Sequence, residues 1–434
     1  MKKTTRRHFL KQSGFTLMAV GLSREAFYHN LGLAANSTLT QAAALSPTDR
    51  ILVVVQLAGG NDGINTVIPL SGSLYATYQQ RRPTLAVAPD QVLPVGTDSA
   101  GNQLGFHPRL PKFKALMDQG HLGVIQAVGY PNPNRSHFES MAIWHTANPV
   151  RPDGTGWLGD YLDVAYPSND NPLIGVYLGG TLPLGLKARE VIVPAISNFE
   201  TYRFQTDPRY PQDAANRINA FLALNREAAS ENTYREIIRQ VALDAYQSAE
   251  GLQTGIRRYT PDPAIQYPTA NPLARVLQMA AQIIGGGLGT KILYVTLGGF
   301  DTHQTQNGAN GQGGQPLLLQ YLDDAIDAFY RDMKRLGVDD KVLIMTWSEF
   351  GRKVGENGNR GTDHGASGPQ FVIGTPVRGG FFGVYPSLTD LDKDDGTKFS
   401  IDFRSIYATI LERWLGVSSR ELLGGTFELL NFLP

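Results

Sequence analysis

The segment Lys341–Gly365, KVLIMTWSEFGRKVGENGNRGTDHG, joins an apolar run to a long polar loop. Within it, Val342–Trp347 is almost entirely apolar, which is typical of a parallel strand covered on both faces. Glu349 follows directly, where open α/β sheets place their ligands. The glycine-rich loop then ends in Asp363 and His364. This pattern predicts an α/β protein that presents metal ligands at the carboxyl ends of its strands.

Three other apolar runs lead into polar loops in the same way: Ile51–Leu57, Leu122–Val128 and Lys291–Leu297. The first loop, AGGNDG, contains one acid, Asp62, which fits either a metal ligand or an ordinary turn aspartate. The third loop begins GGFDTH, with Asp301 and His303 two positions apart. In an extended segment both side chains leave on the same side and can reach one ion. The four runs predict buried strands of one parallel sheet.

The loop after the second run, GYPNPNRSHFES, leads into a predicted helix. Ser136 occupies the N-cap position, and Glu139 three residues later predicts a capping box. A hydroxyl at a helix N-terminus also lies where the helix dipole stabilises an alkoxide or an anion, so Ser136 is a candidate nucleophile. Arg135 is a candidate anion clamp. For His137 and His145 we predict solvent-facing or capping roles.

Between these runs the sequence predicts further helices and shorter strands. Residues 205–258 have helical spacing and predict a helical insertion or lid with a solvated charged face. The other predicted helices are Pro108–Gln119, Gly156–Ala165, Leu273–Ile284, Leu317–Leu336 and Phe403–Leu415. The other predicted strands are a hairpin at Leu85–Val95, and Pro172–Leu178, Glu190–Pro194, Gln370–Gly374 and Phe381–Tyr385.

The N-terminus carries the pattern of a twin-arginine export signal. Thr5–Lys11 reads TRRHFLK, and the modest apolar segment Phe15–Leu22 follows. That segment is too short to span a bilayer, so we expect no stable membrane anchor and a periplasmic or secreted protein. The twin-arginine translocase is the expected partner during export. The predicted division is a signal and linker in residues 1–45 and an α/β domain in residues 46–434.

The composition argues against nucleic-acid binding and excludes cysteine chemistry. Residues 1–45 hold six of the 39 basic and one of the 39 acidic residues, which leaves 33 basic and 38 acidic residues. A mildly acidic chain lacks the basic surface that nucleic-acid binding needs. The sequence has no cysteine, which excludes disulfides, thiolate metal ligands and a cysteine nucleophile.

Five short blocks give the chain a family resemblance: GGNDG, YPNPNRSHFES, GGFDTH, TWSEFGR and GTDHG. Their order is similar to that in the alkaline phosphatase and sulfatase superfamily. Together with the export signal, they resemble the twin-arginine-exported family called domain of unknown function 1501. The resemblance implies a doubly wound, mostly parallel, alkaline-phosphatase-like α/β sheet. It also implies a divalent metal site and hydrolysis of phosphate or sulfate esters.

The resemblance also assigns roles to individual residues. Ser136 is implied as the nucleophile, or as the group that the metal polarises, with Arg135 beside it. The implied metal ligands are Asp62, Asp301, His303, Glu349, Asp363 and His364, with Asp363 either a ligand or the group that orients His364. This mixed oxygen and nitrogen set suits zinc or manganese better than calcium. The chain departs from the superfamily at Phe350, which stands where a histidine is usual, and in the closer spacing of its Asp-x-His pair.

Two functions follow as hypotheses. The first is an exported metal-dependent hydrolase of small-molecule or glycan phosphate or sulfate esters. A conventional sulfatase is disfavoured, because the order Pro-x-Arg-Ser around Ser136 reverses the C/S-x-P-x-R motif. The alternative is a non-catalytic secreted binding or surface-assembly protein on a degenerate phosphatase-like fold, which the Phe350 substitution favours.

Overall fold

The computed structural model describes residues 49–70, 72–152, 154–168, 170–226, 233–308 and 314–434. The predicted export signal lies outside these ranges. The strands are β1 (Ile51–Leu57), β2 (Val67–Pro69), β3 (Leu93–Thr97), β4 (Gln103–Phe106), β5 (Leu122–Gly129), β6 (Gly175–Tyr177), β7 (Ile292–Leu297), β8 (Val342–Trp347), β9 (Gly368–Ile373), β10 (Gly380–Phe382) and β11 (Ile401–Asp402).

Eight of these strands form one central sheet in the order β10-β5-β9-β8-β1-β7-β6, with β11 also paired to β5. All neighbouring pairs are parallel except those of β9, which runs antiparallel to β5 and β8. The carboxyl ends of β1, β5, β7 and β8 therefore share one rim with the amino end of β9. The mostly parallel sheet is confirmed. Strands β2, β4 and β3 form a separate antiparallel sheet.

Helices cover both faces of the central sheet. They are α1 (Gly63–Thr66), α2 (Gly72–Arg81), α3 (Pro111–Asp118), α4 (His137–Thr146), α5 (Trp157–Ala165), α6 (Ala214–Arg226), α7 (Thr233–Ile256), α8 (Pro272–Gly285), α9 (Gly314–Leu336), α10 (Phe403–Thr409) and α11 (Ser419–Leu422). Strand β1 shows the two-sided burial: Val53 and Val55 join the core with α8 and α9, whereas Leu52 and Val54 join the core with α4, α5 and α10. This is the doubly wound arrangement that the sequence predicts.

The four long apolar runs form strands as predicted, but two shorter predictions are wrong. No hairpin forms at Leu85–Val95, because the backbone N–H groups there bond to side chains: Leu85 donates to Glu356 and Val87 to Tyr78. The hairpin strands are β3 and β4 instead.

The predicted strand at Glu190–Pro194 also fails. Asp163 accepts hydrogen bonds from the backbone N–H of Glu190 and of Val191, at 3.1 and 2.9 Å, so these groups are not available for a ladder. A single bridge between Tyr177 and Ala195 is all that pairs there.

Helices α6 and α7 lie in the predicted helical insertion, and Leu252 of α7 is buried in the core. Whether this segment is an insertion into the domain stays a prediction. Across the described ranges, every helix falls short of the length and apolar character that a membrane crossing needs.

Candidate metal centre

Three imidazoles and one carboxylate converge at the rim, where the loops after β5, β7 and β8 meet. The Nε2 atoms of His303 and His364 lie 2.9 Å apart, and each is 3.1 Å from Asp301 Oδ1. His137 Nε2 lies 3.4 Å from the same oxygen. Among the described residues this buried nitrogen has no hydrogen-bond partner, because its contact with Asp301 has ion-pair distance without hydrogen-bond geometry. Its lone pair is left facing the cluster.

Each of the three imidazoles is held from behind through Nδ1. The acceptors are Glu349 Oε1, 2.7 Å from His137; Asp363 Oδ1, 3.2 Å from His303; and the Arg135 carbonyl oxygen, 2.8 Å from His364. A carbonyl only accepts, so His364 must carry its proton on Nδ1 and leave the Nε2 lone pair free. Metal-binding histidines are oriented in this way by carboxylates and carbonyls.

Arg352 fixes the carboxylate of the cluster. This buried guanidinium donates to Asp301 Oδ1 at 2.7 Å and also to backbone carbonyls of three loops. The carbonyls belong to Gly59, Gly60, Phe300 and Thr362. Burial alone would raise the pKa of Asp301, but the hydrogen bond and the charge of Arg352 outweigh it and lower the pKa to about 2. Asp301 is therefore ionised at neutral pH.

Glu349 anchors α4 to the end of β8. His137, Ser140 and Trp144 are spaced i, i+3 and i+7, which places them on one helix face. The Ser140 hydroxyl and the Trp144 indole donate to the Glu349 carbonyl at 2.5 and 2.9 Å, while His137 bonds its carboxylate. That hydrogen bond raises the pKa of His137.

The Glu349 carboxylate also accepts the backbone N–H of Gly59 at 2.8 Å. Gly59 has a φ of +120°, and a Cβ there would lie 2.4 Å from the Asp301 nitrogen. Only glycine fits this close approach of the loops after β1 and β7.

The structure does not bring Asp62 to the cluster. Its oxygens accept two hydrogen bonds from Arg82, at 2.5 and 3.0 Å, and one from Gln306 at 2.6 Å. They also cap α1 through the backbone N–H groups of Ile64 and Asn65. The side chains of Asp62 and Arg82 are fully buried. Asp62 thus forms an internal ion pair that holds the loop after β1.

Arg135 reaches the cluster through its backbone. Its guanidinium pairs with Asp392 at 2.5 Å and Asp394 at 2.8 Å, whereas its carbonyl orients His364. Ser136 is exposed and lies next to His137 at the N-cap position of α4. The predicted capping box is wrong, because in the described structure the Ser136 side chain makes no capping hydrogen bond.

The donor separations fit a single small divalent ion. Four ligands around a tetrahedral ion, at bond lengths of about 2.0–2.1 Å, lie about 3.3 Å apart. The distances from Asp301 Oδ1 to the three Nε2 atoms run from 3.1 to 3.4 Å, and the Nε2 atoms of His303 and His364 are 2.9 Å apart. Among the described residues, the group whose donor atoms all lie within 4.8 Å of one another is His137, Asp301 and His364, and His303 is a further donor beside this group of three.

Residues 126–429 match the family described as Protein of unknown function (DUF1501). The chain belongs to this family. The match covers the four cluster residues and both carboxylates that orient them, whereas Asp62 lies outside it. Among curated proteins, none matches this DUF1501 chain.

Several solved structures are similar to this DUF1501 chain at low identity. A protein in the alkaline phosphatase superfamily from Vibrio parahaemolyticus is 10% identical, with 92% of this chain and 76% of that chain covered and a TM-score of 0.37. The PsFucS1 sulfatase from Pseudoalteromonas sp. is 11% identical, with 89% and 72% covered and a TM-score of 0.39. The phosphonate monoester hydrolase from Silicibacter pomeroyi is 11% identical, with 87% and 77% covered and a TM-score of 0.35.

Sequence reasoning missed two residues of this DUF1501 site. For His137 the sequence favours a solvent-facing or capping role over a contribution to the site, although its spacing with Ser140 and Trp144 on one helix face is visible in the sequence. The role of Arg352 has no sequence signal, because its partners lie in loops far apart in the chain. The ring of Phe350 lies 4.9 Å from that of His137 and 4.6 Å from that of His364.

Proposed function

We propose that this chain is a metal-dependent hydrolase of phosphate or sulfate esters, small-molecule or glycan, that acts in the periplasm or outside the cell after twin-arginine export. The chemistry is supported by one observation, the convergence of three Nε2 atoms on an ionised carboxylate. Export is supported by the motif at Thr5–Lys11 alone.

The proposed ligands are His137, His303, His364 and Asp301, with Glu349 and Asp363 as the groups that orient two of the imidazoles. Three imidazoles and one carboxylate suit zinc, and manganese is the second choice. A bound divalent ion would lower the pKa of a coordinated water or hydroxyl and balance charge on the ester oxygens. The ligand set differs from the one that the resemblance implies, because Asp62 and Glu349 direct their oxygens to protein donors.

The chain supplies a candidate nucleophile beside the ligands. The Ser136 hydroxyl is exposed, adjoins His137 in the chain and stands at the N-terminus of α4, where the helix dipole favours a developing alkoxide. Arg135 acts in this proposal through its carbonyl, since two aspartates occupy its guanidinium.

Elemental analysis of the purified full chain tests the ligand set. We expect about one ion per chain in the wild type and loss of that ion in His137→Ala and His364→Ala. His121→Ala is a matched control, since His121 precedes β5 at the opposite end of the sheet, and should keep the ion. A folded wild type free of metal, or an ion retained by both cluster variants, would refute the proposal.

Turnover then separates the two functions. A metal-loaded wild type should hydrolyse aryl phosphates or aryl sulfates, and His364→Ala should lose more than the roughly 10–100-fold that removing an orienting group costs. Undiminished turnover in Ser136→Ala would remove that hydroxyl from the reaction. A wild type that holds its ion yet turns over no ester would favour the binding protein. The packing of Phe350 against two imidazoles supports that second candidate.

A further inference from the structure

A pocket of about 250 Å³ lies beside the metal cluster. Its walls come from the loop after β5, the start of β9 and the segment between residues 391 and 399. The wall includes Tyr130, Pro133, Ala366, Asp392 and Phe399.

The pocket wall is linked to the cluster through neighbouring residues of the chain and through Arg135. Ala366 follows His364 by two residues, and Pro133 precedes Arg135 by two. Arg135 links the two places directly, because its carbonyl holds His364 while its guanidinium pairs with Asp392 in the pocket wall. A ligand in the pocket would therefore adjoin a group bound at the metal.

The lining is mostly apolar, because the polar atoms of the wall are already bonded within the protein. The Tyr130 hydroxyl contacts Ser140 Oγ at 2.8 Å and accepts from the Asn134 backbone at 3.0 Å. The Ser367 hydroxyl is engaged by Thr397 at 2.8 Å. What remains for a ligand is the rings of Tyr130 and Phe399 and the Pro133 side chain.

The volume limits the ligand to about one ring. An apolar cavity of about 150 Å³ holds benzene. A pocket of about 250 Å³ therefore has room for one substituted six-membered ring.

We propose that this pocket binds the alcohol part of the ester, a six-membered ring with an apolar face, while the phosphate or sulfate group lies at the metal cluster. Aryl and pyranosyl groups share this chemistry. The inference rests on the proposed function, since it names the substrate class of the same site.

The test compares Phe399→Ala with Phe427→Ala, a partly buried phenylalanine that packs on Arg404 and is absent from the pocket wall. In the metal-loaded full chain, Phe399→Ala should raise KM about tenfold for a phenyl or pyranosyl ester. In the same variant, KM for a ring-free methyl ester should change less than about twofold, and so should the ion content. Phe427→Ala should change each of these values, including KM for the ring-bearing esters, by less than about twofold.

Comparing phenyl with pyranosyl esters shows which kind of ring the pocket binds. A rise in KM that is selective for either ester supports ring binding in the pocket. An equal effect on the methyl ester, or none on any ring-bearing ester, overturns it.

A binding measurement separates this inference from the proposed function. Calorimetric titration with phenylphosphonate and methylphosphonate needs no turnover. A wild type that hydrolyses nothing, yet prefers phenylphosphonate in a manner that Phe399→Ala abolishes, would refute the hydrolase and keep the pocket. Equal affinity for both phosphonates would overturn the pocket whatever the turnover.

Discussion

At the scale of single residues, burial separates the acids that face the cluster from those that support it. Asp62 and Asp301 both follow a buried strand and a pair of glycines, so the sequence treats them alike. In the structure Asp62 is 1% exposed and paired with Arg82, whereas the Asp301 side chain is 46% exposed and surrounded by imidazoles. A carboxylate can bind an ion only where the ion can reach it, and of these two environments only that of Asp301 is open.

Asp62→Asn should therefore damage stability and spare metal binding. Removing one charge from a buried pair leaves Arg82 uncompensated, at a cost of about 3–5 kcal/mol in the free energy of unfolding. Urea unfolding measures the loss, and elemental analysis should still find the ion. Asp395→Asn is the control, since its pair with Arg81 is partly exposed and should cost about 1 kcal/mol or less. If Asp62→Asn lost the ion while its free energy of unfolding stayed unchanged, Asp62 would be a metal ligand and the prediction would be wrong.

The sequence supports Asp301, His303 and His364 as cluster residues because short polar motifs at strand ends predict their common rim. It does not show which carboxylates coordinate and which orient, since that depends on the direction of each oxygen. Glu349 illustrates the limit: its position after β8 is as predicted, but its oxygens point to His137 and the Gly59 backbone.

At the scale of elements, α4 connects strand β5 to the metal centre through a single face. His137, Ser140 and Trp144 all bond Glu349, so the helix position and the imidazole position are set by the same residue. A shift of α4 would move the His137 nitrogen away from Asp301.

Ser140→Ala should weaken the attachment of α4 to Glu349. The Glu349 carbonyl would lose one of two buried donors, which costs about 1–3 kcal/mol in the free energy of unfolding. Displacement of His137 should also weaken zinc binding by about 10-fold or more, measured by competition with a chelator.

Glu139→Ala, on the exposed side of α4, is the matched control and should change unfolding by about 0.5 kcal/mol or less. If Ser140→Ala behaves like Glu139→Ala in both measurements, α4 is not positioned through Glu349.

The central strands could be read from the sequence because a strand buried on both faces is apolar at almost every position, as β1 and β8 are. The small sheet could not. Its hairpin is set by where backbone N–H groups find partners, and at Leu85 and Val87 those partners are the side chains of Glu356 and Tyr78.

At the scale of the whole molecule, two histidines away from the cluster are buried in the neutral form. Desolvation lowers the pKa of His145 to about 3, and desolvation together with Arg109 lowers that of His107 to about 4. Both values lie below the roughly 6.5 expected in an unfolded chain.

Stability should consequently fall with acid. Below about pH 6.5 each of these histidines is protonated in the unfolded chain but stays neutral in the folded chain. Each therefore lowers the free energy of unfolding by about 1.4 kcal/mol per pH unit down to about pH 4. Urea unfolding at pH 7, 6 and 5, in chelator to exclude ion binding, measures the slope. His145→Gln should reduce that slope by about 1.4 kcal/mol per unit. An identical slope in the variant would show that His145 is protonated in the folded protein.

The contacts of Arg352 also bear on the order in which segments of the chain come together during folding. One of its nitrogens bonds a carbonyl 293 positions earlier and the carbonyl of residue 300, and the other two bond the carbonyls of residues 60 and 362. Joining segments so distant is among the slow steps of chain collapse, because the intervening loops must close first. A nascent chain that has not yet passed residue 364 lacks the His364 donor, so we expect ion capture only after that residue has been synthesised.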